Sequence, residues 1–279
     1  MYVHYLITRF NLRTAEWTTT KHNERVLDKA WYENRFRLFE KYCLPSVLAQ
    51  SNPNFTWCIL FDTETPVNYK KRINELVKDH PNFIVLFISG MKEMGNSFSN
   101  LVKSTLSPTI SFIITSRLDN DDMIHRDFIK TIQHIALNRP TTWERTIVDL
   151  RSGLQLNLER IPSEIRKVSS SFNPFISVVA PLEDNESAIT RMHSEWSKEK
   201  NILVYEDQPL WVEIVHNKNK INTIKTKLRK CYKFNWSAFG MQSKLPMDHF
   251  LNVFIFNSKL WWQQSINRLK IKIKAVLLK

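Results

Sequence analysis

Ile110-Ser111-Phe112-Ile113-Ile114-Thr115-Ser116-Arg117-Leu118-Asp119-Asn120-Asp121-Asp122 joins a short apolar run to a burst of carboxylates. Pro108 closes the run upstream, and its apolar half is β-branched and aromatic. Such a run reads as a strand covered on both faces, as in a parallel sheet. The acidic half follows at the strand's C-terminal end, the edge where open α/β sheets bind ligands. Three carboxylates in four residues repel one another unless a cation lies between them. Mg²⁺ and Mn²⁺ prefer oxygen ligands, often one or two carboxylates plus substrate phosphates. Asp119 and Asp121 are therefore the first candidate metal ligands, with a diphosphate completing the shell. The plainer reading is a solvated Asp/Asn turn whose last carboxylate caps the next helix.

The flanking chain alternates strand and helix. Val3 to Thr8, Phe55 to Phe61 and Phe83 to Ile88 read as buried strands. Trp31 to Leu48 has helical periodicity, with Pro45 expected to bend or end it. Val67 to Lys78, Asn96 to Leu106 and Asp127 to Leu137 also read as helices. This order predicts a mostly parallel sheet with right-handed crossovers. Further on, Thr146 to Leu150 and Leu154 to Leu158 flank Gly153 and suggest a hairpin. Ile176 to Ala180, Ile202 to Tyr205 and Leu210 to Val215 read as strands, and Ser187 to Lys198 as a helix. Polar groups then stand at three strand ends: Arg9 and Asn11, Asp62, and Arg117 to Asp122. In a parallel sheet those ends share one edge. Taken singly, Arg9 also reads as a surface charge and Asp62 as a loop cap.

The chain has 43% hydrophobic and 24% charged residues, a composition that argues against disorder. With 4 Gly in all, it has no glycine-rich loop to cradle phosphate. A metal and side chains would have to do that. Cys43, Cys58 and Cys231 are odd in number and far apart, so neither a disulfide framework nor a zinc cluster is expected. No signal peptide or bilayer-spanning run is evident, which points to the cytoplasm. From Lys218 to Lys279 there are 14 Lys/Arg and one acid, so this segment carries the whole net charge of +13. Such a patch suits an anionic surface.

Thr8-Arg9-Phe10-Asn11, Leu44-Pro45-Ser46 with Gln50, and Phe55-x-Trp57 running to Asp62 form a pattern with the Ser116 to Asp122 block. Asn173-Pro174-Phe175 and Trp211-x-x-x-x-His216 extend it. Together they resemble the putative rhamnosyltransferases, bacterial nucleotide-sugar glycosyltransferases of GT-A type. The resemblance covers about residues 1–217. It implies a GT-A-type, Rossmann-like α/β domain over 1–217, with a donor half at about 1–125 and an acceptor half at 126–217. A basic C-terminal extension at 218–279 would follow. The resemblance also implies that Thr8, Arg9 and Asn11 contact the nucleotide and that Asp62 holds its base or ribose. Asp119 and Asp121 would bind Mn²⁺ or Mg²⁺ on the donor diphosphate, with Arg117 and Asp122 lining the pocket. A late acidic pair facing the acceptor and a late metal-shell histidine are usual in such enzymes. Glu206-Asp207 and His216 match them in order, although only nine residues separate Asp207 from His216.

The implied reaction is metal-dependent transfer of a sugar to a hydroxyl of a cell-envelope glycan, in polysaccharide or lipopolysaccharide synthesis. An inverting enzyme needs one carboxylate base. Asp207 is the first candidate and Glu206 the second, while Glu183 and Asp184 compete for the role. His193 reads as structural or acceptor-facing. On a helical wheel the tail gathers Trp262, Ile266, Leu269 and Ile273 on one face with lysines at the flanks. This suits peripheral binding of residues 259–279 to the inner face of the cytoplasmic membrane. The plainer reading is a terminal helix packed on the body, and the alternation of Lys270 to Lys274 also allows a strand. A nucleotidyltransferase or phosphohydrolase would also want clustered Asp, and a nucleic-acid-binding protein a basic aromatic tail. No nucleic-acid partner is expected on the leading reading.

Overall fold

The computed structural model describes residues 1–140, 144–184 and 186–277. In chain order the first half runs β1 (Tyr2–Arg9), α1 (Lys29–Leu38), α2 (Leu44–Leu48), β2 (Thr56–Asp62), α3 (Val67–Val77), β3 (Phe83–Ile88), α4 (Met94–Thr105) and β4 (Phe112–Arg117). Next come β5 (Met123–Ile124), α5 (Phe128–Leu137), β6 (Thr146–Leu150), β7 (Ser152–Asn157), β8 (Glu164–Ser169) and β9 (Ser177–Pro181). Last are β10 (Ile202–Tyr205), β11 (Trp211–Val215), β12 (Lys230–Cys231) and α6 (Phe250–Leu277).

Seven strands form the main sheet in the order β10-β6-β9-β4-β1-β2-β3. Only β9 runs against the rest, pairing antiparallel with β4 and β6. The sheet is thus mostly parallel, the α/β class expected. Its central strands are nearly continuous apolar runs because both faces are covered. Leu6, Phe61 and Ile114 pack under Phe36, Ile73 and Ile132 of α1, α3 and α5. Ile7, Leu60 and Ile113 pack on the other side against Phe98 and Val102 of α4. The edge strand β3 is half-buried through most of its length.

Pro45 does not end the helix begun at α1. A π-helical turn over Phe39–Cys43 carries it into α2, and the Leu44 N–H donates to the Phe39 carbonyl five residues back. Pro45 then lies in the first turn of α2, where its missing N–H costs little. Asp28 caps α1, its side chain accepting from Trp31 N at 2.7 Å.

A second sheet has the order β12-β8-β7-β11-β5. The expected hairpin across Gly153 is not formed: β6 and β7 belong to different sheets, and β7 pairs antiparallel with β8. Gly153 lies within β7 because a Cβ there would stand 2.1 Å from the Trp211 ring. Trp211 instead stacks on Phe175 at 4.7 Å between centroids. The Ser187 to Lys198 stretch is turns followed by a 3₁₀ turn at His193–Lys198, not a full helix. Residues 218–249 are built into the body: β12 pairs with β8, and Trp236, Phe239 and Met241 join the second sheet's core. The strand alternative for the tail gives way to α6, which runs through Leu277.

Candidate active site

Six of the seven main-sheet strands run the same way, so their C-terminal ends share one edge. Arg9, Asp62, Arg117 to Asp122, Arg151 and Glu206-Asp207 follow the ends of β1, β2, β4, β6 and β10 there. The second sheet adds to this edge. β5 leaves the acidic stretch directly and pairs antiparallel with β11, in the register Val212↔Met123. The residues after Val212 therefore run back along those before Met123. Ile214 N donates to Asp122 Oδ1 at 2.8 Å, and His216 Nε2 lies 2.8 Å from Asp121 Oδ2.

Asp119 faces two arginines. Arg117 Nη2 lies 3.2 Å from its Oδ2, and Arg9 Nη2 lies 3.5 Å from its Oδ1. Burial pushes this carboxyl up, but Arg117 and Arg9 outweigh burial and hold it below the usual range. Asp121 faces other partners: the Arg35 guanidinium, His216, and Asn219 Nδ2 at 3.2 Å. Arg35 and His216 overcome the burial of Asp121 and hold it well down. Asp122 is raised well above the usual range by burial and by Asp121, Asp119 and Glu213. Burial likewise raises Glu213, which Gln155 Nε2 holds at 2.7 Å. Three guanidiniums thus stand among four carboxyls, two of them pushed toward their neutral form.

His216 Nδ1 accepts from Lys218 N at 3.2 Å, which leaves the ring proton on Nε2 facing Asp121. Among the described residues no three His, Cys, Asp or Glu side chains converge as a ready metal shell. Asp119 and Asp121, expected to share one ion, are turned to different partners. Asp121 Oδ2 and His216 Nε2 stand 2.8 Å apart as a hydrogen bond, and Nε2 would have to release its proton before it could bind an ion. Mg²⁺ and Mn²⁺ are often held by one or two side chains with phosphate oxygens completing the shell. Asp119 and Asp121 are the carboxylates on this edge whose oxygens an ion arriving with a diphosphate would take, in exchange for their present arginine partners.

Other expected donor residues, at or behind this edge, turn their polar groups into the protein. Thr8 is fully buried, and its hydroxyl accepts from Trp57 Nε1 at 2.9 Å. Asn11 Nδ2 donates to Tyr32 Oη and Thr65 Oγ1, and its Oδ1 accepts from Asp62 N. Asp62 is filled by Arg13 Nε at 2.8 Å, Arg13 N at 3.0 Å and Glu64 N at 2.9 Å. These three residues tie the loop after β1 to the ends of β1 and β2. Glu206 lies 3.6 Å from Arg151 and is more than half exposed. Asp207 beside it is exposed. Of the competing carboxylates, Asp184 is bound by Arg145, whose Nε lies 2.6 Å from it, and sits at the opposite edge beyond β9. Glu183 is its neighbour in sequence.

Arg35, Glu213 and Asn219 are site residues that motif reading passed over. Arg35 and Glu213 had a signal, since each is a lone charge in an otherwise apolar stripe or strand. His193 Nδ1 donates to the Phe172 carbonyl, so Nε2 keeps a lone pair. Burial lowers its pKa, and Arg117, Asp119 and Arg9 lie within electrostatic reach.

Residues 4–228 match the family described as putative rhamnosyl transferase. Among solved structures, TarS residues 1–349 from S. aureus share 13% identity over 76% of this chain and 60% of that one, with a TM-score of 0.41. The same fragment in complex with UDP gives 12% identity, the same coverages and a TM-score of 0.40. A putative nucleotide-diphospho-sugar transferase from Desulfovibrio desulfuricans G20 gives 6% identity over 78% of this chain and 82% of that one, with a TM-score of 0.40. The chain therefore spans three-fifths of the TarS fragment it aligns with. No curated protein matches the sequence.

Proposed function

We propose that this chain, which belongs to the putative rhamnosyl transferase family, is a glycosyltransferase of the nucleotide-sugar type that moves a hexosyl or deoxyhexosyl unit to a hydroxyl of a cell-envelope glycan. The observation that carries this reading is the convergence of Arg9, Arg117, Asp119, Asp121 and His216 at one sheet edge. The edge combines fixed cations for a diphosphate with carboxylates for a divalent ion. Arg9 and Arg117 would orient the donor's phosphates, which Arg geometry suits. Asp119 and Asp121 would hold Mn²⁺ or Mg²⁺, and His216 would join them once its Nε2 proton is released. When bound, that ion would neutralise the leaving diphosphate as a Lewis acid.

The remaining work falls to the protein's own groups. An acceptor hydroxyl gives its proton to Asp207 while its oxygen attacks the anomeric carbon. The bond from that carbon to the diphosphate oxygen breaks, and the nucleoside diphosphate leaves with the electron pair. Inversion follows from this single displacement. Asp207 is favoured over Glu206 because Arg151 pairs with Glu206. Holding both substrates at one edge supplies the proximity term. The test is to incubate the full chain with a panel of nucleotide-diphosphate sugars and Mn²⁺. Release of one nucleoside diphosphate, accelerated by a glycan acceptor, is expected. Nucleoside triphosphate turnover without an acceptor would instead favour a nucleotidyltransferase or phosphohydrolase.

A further inference from the structure

α6 presents two faces of different kind. Val253 and Leu260 turn inward and are buried. The inward side is fastened early in the helix: Asn257 exchanges two hydrogen bonds with the backbone of Lys230, at 2.9 and 3.0 Å. The Phe256 ring sits under the Arg166 guanidinium at 4.7 Å. The outward side carries Phe250, Phe254, Trp261, Trp262, Leu269 and Ile273, each at least half exposed. At 100° per residue these six fall within one arc of less than half the wheel. At 1.5 Å per residue the helix is roughly 42 Å long. With Leu251 and Ile255 between them, the six make a mostly apolar face roughly 35 Å long, interrupted on the wheel by Ser258, Ser265 and Lys272, and more apolar than monomeric soluble proteins usually leave bare.

Charge identifies what covers it. α6 contains five Lys/Arg and no acid. Lys259 and Lys270 border one side of the apolar arc and Arg268 the other. Two adjacent tryptophans lie on the arc, and Trp is enriched where a membrane meets water. No helix among the described residues is long and apolar enough to cross a membrane. The length, the flanking cations and the aromatic face suit a helix that lies in the plane of a bilayer. A nucleic acid is the poorer fit, because Leu269 and Ile273 cannot stack on bases as aromatic rings do.

We propose that α6 docks the protein on an anionic bilayer, with Trp261, Trp262 and Leu269 in the interface and Lys259, Arg268 and Lys270 against lipid headgroups. The surface is distinct from the sugar-transfer edge, and vesicle binding needs no catalysis. A failed binding test would therefore leave the transferase reading standing.

Flotation of the full chain with vesicles tests it. Vesicles of phosphatidylglycerol in phosphatidylcholine should carry the protein up, at least tenfold better than phosphatidylcholine alone, and high salt should weaken the effect. Trp262→Glu with Leu269→Glu should abolish flotation. Lys259→Glu with Lys270→Glu should reduce it at least tenfold. All four side chains point outward, so melting temperature and circular dichroism should not change. Equal flotation with neutral vesicles, or unchanged flotation in both variants, would overturn the proposal. So would a light-scattering mass showing an oligomer that Trp262→Glu with Leu269→Glu converts to monomer, since a second copy would then cover the face. Displacement from vesicles by an equimolar oligonucleotide would overturn it in favour of nucleic acid.

Discussion

His216 Nε2 stands 2.8 Å from Asp121 Oδ2 although 95 residues separate them in sequence. The antiparallel β5–β11 pair brings them together, and the Lys218 N–H on Nδ1 fixes which ring nitrogen faces the carboxylate. His216→Ala should therefore weaken Mn²⁺-supported nucleoside diphosphate binding about 10- to 100-fold, the range for losing a group that sets a metal ligand. Calorimetric titration with and without Mn²⁺ measures it. An unchanged affinity would remove His216 from the site.

Arg35 and Asp121 form an ion pair whose side chains are 13% and 9% exposed. Arg35→Met would strand a buried carboxylate, which costs about 3–5 kcal/mol in comparable cases. Adding Asp121→Asn should recover much of that loss. Urea unfolding of both variants tests the coupling, and purely additive losses would show that the two groups act independently.

His4 is buried between β1 and β4 with Nε2 2.8 Å from Ser116 Oγ. Burial lowers its pKa from 6.5 to about 3. The unfolded chain therefore takes up this proton first. The stability that depends on neutral His4 is complete above pH 6.5 and declines as pH falls toward about 3. Between pH 6.5 and 5.0 this amounts to roughly 2 kcal/mol, at about 1.4 kcal/mol per pH unit. His4→Gln should flatten that limb in urea melts at the two pH values. An unaltered slope would assign the acid sensitivity to other groups.

These residues also show what could be read in advance. β1, β2 and β4 were plain because a strand covered on both faces admits few polar residues, and Asp119 to Asp122 announced themselves by their mutual repulsion. The second sheet was legible only in part: Leu154 to Leu158 and Leu210 to Val215 read as strands, but their partners did not. β8 carries Glu164 and Arg166, which look like solvent positions yet are buried as a pair 3.1 Å apart. Gly153 read as a turn, when its role is to admit the Trp211 ring from a strand 58 residues on. Pairing between distant strands leaves no local mark, and the side chains that meet across it, Glu213 with Gln155 among them, stay hidden until the fold is known. Arg9 and Asp62 were placed at the correct edge by parallel topology. Burial explains why Asp62 and Thr8 spend their hydrogen bonds inside the protein.

On the proposed reaction, two groups could take the acceptor proton. Asp207 is exposed beyond β10, and His193 presents a free Nε2 near Arg117 and Asp119. Asp207→Asn should lower kcat at least a hundredfold with KM for the donor little changed, as expected for loss of a base. His193→Gln should lower kcat less than tenfold. Steady-state kinetics of both variants separates the two, and the reverse order would move the base to His193.

The most direct measurement is calorimetric titration of nucleoside diphosphates into the wild-type chain, Asp119→Asn and Asp121→Asn, each with and without Mn²⁺. Tight binding of one nucleotide by the wild type is expected only when Mn²⁺ is present, with a loss of at least a hundredfold in either variant. Mn²⁺-dependent binding that survives in both variants would contradict it.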